Sequence, residues 1–170
     1  MIRLLLFSLV MIGLLPLAAE AQQGAQVAFG GMQQDTRAPV EVTADTLSVN
    51  QSDGTALYTG NVVIAQGQMR LAAPRVLVVY SEQAGRIQRM EASRGVTLVS
   101  GTEAAEAQRA EYDIEAGTIV MTGNVLLTQG PSALTSERMI VNLEDGTAQL
   151  SGRVRTVLQQ PADAPPQGQP

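Results

Sequence analysis

Carboxylates and guanidiniums are the charged side chains that this sequence offers for chemistry. The chain contains no cysteine, histidine, lysine or tryptophan. This excludes cysteine–histidine and serine–histidine–aspartate nucleophiles, the usual zinc sites and a disulfide framework. The net charge of −5 at pH 7 also disfavours a nucleic-acid binder, since affinity for a phosphate backbone comes from clustered cations.

The carboxylates could bind Ca²⁺ or, facing each other across a sugar, hydrolyse a glycoside. The prominent ones are Asp45, Asp53, Glu111, Asp113, Glu115, Glu144 and Asp145. Several adjoin glycines, where acidic residues favour tight hairpin turns on backbone grounds. The sequence has no Asp-x-Asp-x-Asp-Gly calcium loop. Turn formation therefore explains these carboxylates better than a metal site does.

The arginines could bind phosphate groups. Arg75 and Arg138 occupy equivalent positions of an internal repeat, and Arg86, Arg89 and Arg94 lie close together in the sequence. The simpler interpretation is that exposed strands carry charge for solubility and to discourage edge-to-edge pairing. We favour that interpretation from the sequence alone.

An internal repeat organises the chain that must position these side chains. The stretch Tyr58–Gly67 returns 63 residues later as Met121–Gly130. Turn-like glycines divide each repeat again, which gives four units of about 30 residues; they are Gly54, Gly85, Gly117 and Gly146. Such a repeat, with apolar residues alternating between the turns, predicts a stack of β-hairpins.

The alternation of apolar residues slips by one position at regular places. From Val40 the apolar residues alternate with polar ones, as in a half-buried strand. The alternation slips after Asp45, and it slips again after Ala73, Ala107 and Ser136. A slip that keeps apolar residues on one face is the sequence pattern of a β-bulge, so the sheet should bend along its length. The chain is predicted to be all-β.

The two ends of the chain differ from this domain. Met1–Ala21 has a positive residue, an apolar core and a small-x-small site, as in a cleaved signal peptide. Residues 22–37 are expected to be a flexible arm and residues 38–158 the folded domain. Residues 159–170 are rich in proline and glutamine, which predicts a disordered tail. Export by the signal peptide would place the mature protein in a periplasm.

One sequence motif of the domain resembles that of a known family. Val42–Val49, followed by Asp53-Gly54, Tyr58–Val62 and Gln66-Gly67, resembles the OstA-like family of lipopolysaccharide-transport proteins. The resemblance covers about residues 38 to 158. The second copy of this motif is weaker, because Gln108 occupies the position equivalent to Asp45.

The resemblance implies a fold, a function and partners. It implies stacked antiparallel β-hairpins forming an open β-jellyroll, like a folded taco, whose groove shields the acyl chains of lipid A. It implies a periplasmic carrier of lipopolysaccharide (LPS) that is not an enzyme. From the residues, we expect no cofactor and no metal. The implied partners are an LptC-like inner-membrane protein, an LptD-like outer-membrane protein and further copies joined head to tail. We expect the strand beginning near Val40 and the strand Gly152–Leu158 to be the joining edges.

Alternation identifies the residues expected to line the groove. Apolar side chains of one parity face the same side of a sheet. The expected lipid-binding residues are Val42, Ala44, Leu47, Val49, Tyr58, Val62, Ile64, Met69, Leu71, Val76, Val78, Val96, Leu98, Tyr112, Met121, Val125, Leu127, Met139, Val141, Leu150 and Val154. Alternation alone does not distinguish a lipid-filled groove from a closed core.

Three other functions are compatible with the sequence. The N-terminal segment could remain as an anchor, which would give a membrane-anchored LptC-like subunit of the same pathway. The chain could be a structural β-solenoid with a closed core and no lipid ligand. It could also be a glycan-cleaving enzyme, which would lose its activity when Asp45 or Asp113 is replaced.

Overall fold

The computed structural model describes residues 25–28, 36–81 and 85–158. All helix or strand structure in these ranges is β-strand, which confirms the all-β prediction. The strands are β1 (Ala25–Ala28), β2 (Glu41–Thr43), β3 (Thr46–Asn50), β4 (Thr55–Gln66), β5 (Met69–Tyr80), β6 (Ile87–Ser100), β7 (Glu103–Asp113), β8 (Thr118–Gln129), β9 (Ser132–Asn142), β10 (Thr147–Ser151) and β11 (Arg155–Val157).

The strands form one antiparallel sheet in the order β1-β10-β9-β8-β7-β6-β5-β4-β2, with β3 also on β4 and β11 also on β9. β2 and β3 pair with opposite halves of β4. β10 and β11 pair with opposite halves of β9. Each couple therefore acts as one strand with a break in its middle. The sheet is open, with β2 and β3 at one edge and β1 and β11 at the other.

Glycines form the turns where the sequence predicts them. Gly54, Gly85 and Gly117 each have φ of 60°, and Gly146 has φ of 66°. Glycine adopts this left-handed conformation without the steric cost of a Cβ atom. Turn carboxylates bind backbone or neighbouring side chains: Asp145 Oδ1, for example, accepts a hydrogen bond from the amide of Thr147 at 2.9 Å.

A line of β-bulges crosses the middle of the sheet. The pairing of β4 with β5 shifts between Thr59 and Val62, and the pairings of the strands from β5 to β9 shift at matching places. These places include the predicted slips after Ala73, Ala107 and Ser136. At four places along the bulge line, two consecutive residues adopt positive φ: Gly60-Asn61, Arg94-Gly95, Gly123-Asn124 and Gly152-Arg153. Such bulges bend strands sharply.

The bulge line divides the sheet into two halves, here called wings. Wing 1 contains Thr55–Thr59 of β4 and every residue in register with them, and wing 2 contains Val62–Gln66 and its partners. Tyr112 lies in the cross-strand row of Ala56 in wing 1. In a flat sheet, Ala56 and Gln66 would be ~33 Å apart along β4. Tyr112 Oη nevertheless donates a hydrogen bond to Gln66 Oε1 at 2.6 Å, so the sheet is folded over and the free ends of the wings meet.

The N-terminal segment contacts both wings where their free ends meet, a region here called the mouth. β1 pairs with β10 of wing 1, and Gln129 of wing 2 donates a hydrogen bond to the carbonyl of Ala28 at 2.9 Å. β1 lies inside the stretch 22–37 that was predicted to be a flexible arm, so that prediction does not hold for Ala25–Ala28. The rest of the arm up to residue 35, the signal segment Met1–Ala21 and the tail 159–170 lie outside the described residues.

Candidate functional site

The space between the wings is lined by rows of apolar side chains that cross the sheet from edge to edge. Successive side chains of a strand point to opposite faces, so residues in register share a face. One inner row of wing 1 consists of Leu47, Tyr58, Val76, Ala92, Ala110, Met121, Met139 and Leu150. One inner row of wing 2 consists of Val42, Ile64, Leu71, Leu98, Ala105, Leu127 and Leu134. These rows form the candidate site.

The structure brings most of the expected lining residues together in this interior. The buried ones are Val62, Ile64, Met69, Leu71, Val76, Val78, Val96, Leu98, Tyr112, Met121, Val125, Leu127, Met139, Val141 and Leu150. Val42, Ala44 and Tyr58 are partly buried against them. Leu47, Val49 and Val154 are 52%, 61% and 37% exposed, because they lie at the edges of the sheet, where no further strand covers them. Whether any of these residues binds lipid stays a prediction.

The interior also contains residues outside the expected lining set, mainly alanines. They are Ala56, Ala73, Met90, Ala92, Ala105, Ala107, Ala110, Ile119, Leu134, Leu143 and Ala148. The same alternation identifies several of them, among them Met90, Ile119 and Leu134, whereas the alanines give a weak apolar signal because their side chains are small. The inner side chains are almost completely inaccessible to solvent, so side chains fill the interior.

Polar groups join the wings at the mouth. Gln66 is 1% exposed and accepts the hydrogen bond of Tyr112. Its Nε2 atom donates to the carbonyl oxygens of Thr36 and Ala38, both at 3.0 Å. Burial raises the pKa of Tyr112 to about 12, although its hydrogen bond to Gln66 acts in the opposite direction. The Tyr112 hydroxyl therefore keeps its proton and remains a donor at neutral pH.

Gln129 has an equivalent role in the second repeat. It lies at the same repeat position as Gln66, and its Nε2 atom donates both to Ala28 O and to Glu103 Oε1, the latter at 2.7 Å. Each glutamine of the repeated Gln-Gly pair therefore binds a carbonyl of the N-terminal segment. The repeat contained this signal, but the sequence alone did not show what the glutamines bind.

The bulge line is supported by polar side chains that pack on its glycines. Asp45 lies against Gly60, where a Cβ atom would clash with it, and it accepts a hydrogen bond from Asn61 Nδ2 at 2.9 Å. Gln108 takes the place of Asp45 in the second repeat and lies against Gly123. The glycines in the middle of these strands are thus required by the close approach of a side chain.

The carboxylates considered for catalysis have structural contacts. Asp45 supports the bulge, and Asp113 Oδ1 accepts a hydrogen bond from the amide of Ala116 at 2.9 Å in a turn. The described part of the chain contains no group of three or more acidic, histidine or cysteine side chains that could hold a metal ion. It also contains no helix long and apolar enough to cross a membrane.

Comparisons with known proteins agree with this geometry. A family model described as "LptA/(LptD N-terminal domain) LPS transport protein" matches residues 41–147. An uncharacterized protein of Rhizobium meliloti (strain 1021) is 29% identical over 152 residues, or 83% of this chain and 82% of that protein. The crystal structure of LptH from Pseudomonas aeruginosa covers 75% of this chain and 99% of its own, with 16% identity and a TM-score of 0.66. Its title describes LptH as the LptA homologous periplasmic component of a lipopolysaccharide transport device. This likeness confirms the predicted open jellyroll.

Proposed function

Because the chain belongs to the LptA/(LptD N-terminal domain) family of LPS transport proteins, we propose that it is a periplasmic carrier of LPS. The acyl chains of lipid A lie between the wings, and the sugars remain outside the mouth. The protein passes LPS from an inner-membrane complex to an outer-membrane translocon. The family is one of transport proteins, and the carrier needs no catalytic group.

The observation that carries this proposal is that the inner apolar rows stay apolar where they reach solvent. Leu47 and Val49 end two rows at the edge formed by β3, and both are more than half exposed. Val154 lies at the opposite edge. A closed, self-sufficient core would cover such ends with polar or capping residues. Exposed apolar ends at both edges suit a groove that continues into a neighbouring domain.

Lipid must displace side chains to enter, because the interior is filled. Burying an acyl chain of ~12 carbons gains on the order of 10 kcal/mol, at ~0.8 kcal/mol for each methylene. Breaking the hydrogen bond between Tyr112 and Gln66 costs only ~1–3 kcal/mol if the acceptor finds no new partner. The main cost is therefore the separation of the packed wings. A carrier benefits from this cost, since consecutive sites of moderate and similar affinity let lipid move on.

The edges suit docking of other jellyroll domains through added strands. β2 and β3 form one edge of the sheet, where β3 carries the exposed apolar side chains of Leu47 and Val49, and β11 carries exposed Val157 at the other end. The proposed partners are an LptC-like protein, an LptD-like protein and further copies of this chain. Because β1 covers β10, a strand arriving at this edge of wing 1 must displace β1 or pair with it, whereas β11 is open in wing 2.

The alternatives differ in what they predict for the N-terminus and for lipid. Sequencing the mature protein should show a start near Gln22 if Met1–Ala21 is a cleaved signal peptide, and an intact N-terminus if the chain is a membrane-anchored LptC-like subunit. A structural β-solenoid should purify without lipid and fail to bind it.

A carboxylate in the groove tests the function. We expect Val125→Glu, and likewise Val62→Glu, to abolish LPS binding, because a carboxylate facing the groove is desolvated or admits water. Thr128→Glu adds the same charge to the exposed outer face of β8 and should bind normally. Since a buried glutamate can unfold the domain, Val125→Thr provides a milder variant that should bind more weakly. Normal LPS binding by folded Val125→Glu and Val62→Glu would contradict the assignment of the inner face.

A further inference from the structure

Three arginines form a row on the outer face of wing 1, on the side away from the groove. Across the sheet, the register places Arg75, Ser93, Arg109, Thr122 and Arg138 side by side on β5 to β9. Their neighbours along the strands, such as Val76 and Met139, point into the interior. Arginines therefore alternate with hydroxyl groups along one line.

This row borders a concave pocket of about 490 Å³. The pocket is lined by residues of the five strands β5 to β9, among them all three arginines and both hydroxyl residues of the row. A depression that spans five strands is wide enough for a ligand with more than one charged group.

The cations of the pocket outnumber its anions, with three arginines to two glutamates. Among the described residues, Arg75, Arg109 and Arg138 form no ion pair. The two carboxylates of the pocket, Glu91 and Glu111, face Arg89 instead, with Arg89 Nη2 at 2.8 Å from Glu91 and Arg89 Nε at 4.0 Å from Glu111. The pocket is thus locally positive in a chain of net charge −5.

The spacing of the row defines two places for an anion. Arginines on alternate strands are ~10 Å apart at the backbone, twice the strand spacing. Two long side chains can converge on one oxyanion across that distance, each with a fork of N–H donors that matches a phosphate group. Ser93 lies between Arg75 and Arg109, and Thr122 lies between Arg109 and Arg138, so each place also has a hydroxyl donor.

We propose that this outer pocket is a binding site for phosphate-type oxyanions, with one position between Arg75 and Arg109 and a second between Arg109 and Arg138. Its preferred ligand carries two such groups ~10 Å apart. Without a ligand, each arginine lies within about one screening length of its neighbour in the row, and an anion between two neighbours relieves their repulsion. The site is separate from the groove and does not depend on lipid entering it.

Titration with inorganic phosphate, followed by amide NMR shifts at constant ionic strength, tests the site. We expect saturable shifts at Ser93 and Thr122. Arg109→Gln should weaken both responses about tenfold, the effect of losing one charge-assisted hydrogen bond. Arg155→Gln removes the same charge from exposed β11, outside the pocket, and should change neither response. Absence of saturable shifts, or an equal effect of Arg109→Gln and Arg155→Gln, would overturn the proposal.

Substitutions of Arg75 and Arg138, the two ends of the row, distinguish the two anion positions. Arg75→Gln should weaken the response of Ser93 more than that of Thr122, and Arg138→Gln should do the reverse. An equal effect of each variant on both residues would contradict the existence of two positions.

Phosphatidylcholine vesicles with and without phosphatidic acid identify the source of the phosphate. Binding through Arg109 that requires phosphatidic acid indicates a lipid headgroup, and binding of inorganic phosphate without any vesicle binding indicates a soluble phosphate compound.

Discussion

Replacing Tyr112 by phenylalanine separates the contact between the wings from the packing of the interior. The change removes the hydroxyl that reaches Gln66 but keeps the ring that fills the space between the wings. Gln66 Oε1 then lacks its donor while Gln66 stays 1% exposed. A buried acceptor without a partner costs ~1–3 kcal/mol, so we expect the free energy of unfolding to fall by about 1–2 kcal/mol.

The same loss should make the groove easier to open. A change of 1–2 kcal/mol corresponds to a factor of roughly 5 to 30 in the equilibrium between closed and separated wings. Amide hydrogen exchange near Gln66 and Tyr112 should accelerate by about this factor. If separation of the wings limits lipid entry, LPS uptake should accelerate as well. Denaturant unfolding, hydrogen exchange and uptake kinetics measure the three quantities on one protein.

Tyr80→Phe is the matched control. Tyr80 ends β5 on the wing-1 side of the bulge line, is partly buried and is not among the expected lining residues, so this change removes a tyrosine hydroxyl without weakening the contact between the wings. We expect little change in LPS uptake. The reasoning is refuted if Tyr112→Phe leaves hydrogen exchange at the mouth unchanged, or if both variants accelerate uptake equally.

Three further predictions concern pH, the bulge line and an exposed ion pair. Because burial raises the pKa of Tyr112 from 10 to about 12, its contribution to stability is complete below pH ~10 and lost as pH rises towards ~12. Between pH ~10 and ~12, the free energy of unfolding should therefore fall by about 2 kcal/mol more in the wild type than in Tyr112→Phe, as denaturation curves at each pH would show. Equal losses in both proteins would exclude Tyr112 as the cause. Gly123→Ala should destabilise more than Gly95→Ala in thermal unfolding. Both positions have positive φ, but only at Gly123 would the new Cβ meet Gln108, at 2.7 Å, and equal effects would contradict the close approach. Arg153→Ala should lower the free energy of unfolding by less than about 1 kcal/mol, because the Arg153 side chain is 87% exposed. A larger loss of stability in denaturant unfolding would show that its ion pair with Glu137 stabilises the bulge.

The strands, turns and bulges were predictable because each leaves a local pattern. Alternation reports which face a strand buries, and a slip of that alternation reports a bulge, as after Ala73 and Ser136. Turn glycines such as Gly54 follow from the need for positive φ. These features depend on residues close in sequence, so a single chain is enough to identify them.

The contacts that fold the sheet over were not predictable in the same way. Tyr112 and Gln66 are distant in sequence, and alternation assigns both to the inner face without indicating that they meet. The pairing of β1 with β10 depends on backbone hydrogen bonds, to which the side chains of Ala25–Ala28 contribute little pattern. Local periodicity carries no information about either contact.

The outer pocket depends on strand register, because the sequence repeat relates only two of its three arginines. Arg75 and Arg138 are equivalent in the repeat, but the position equivalent to Arg109 is Thr46. The repeat therefore identified two of the three arginines. Only the pairing of β7 with β6 and β8 places Arg109 between them.

The central claim, that lipid lies between the wings, is tested most directly by photo-crosslinking to LPS. One photoreactive residue replaces Ile64, which is 1% exposed and faces the interior, and another replaces its neighbour Val63 on the outer face. Both variants must first be shown to fold. We predict LPS crosslinks at position 64 and none at position 63. Labelling at neither position in folded protein would indicate a closed core, and equal labelling at both would contradict the assignment of the inner face.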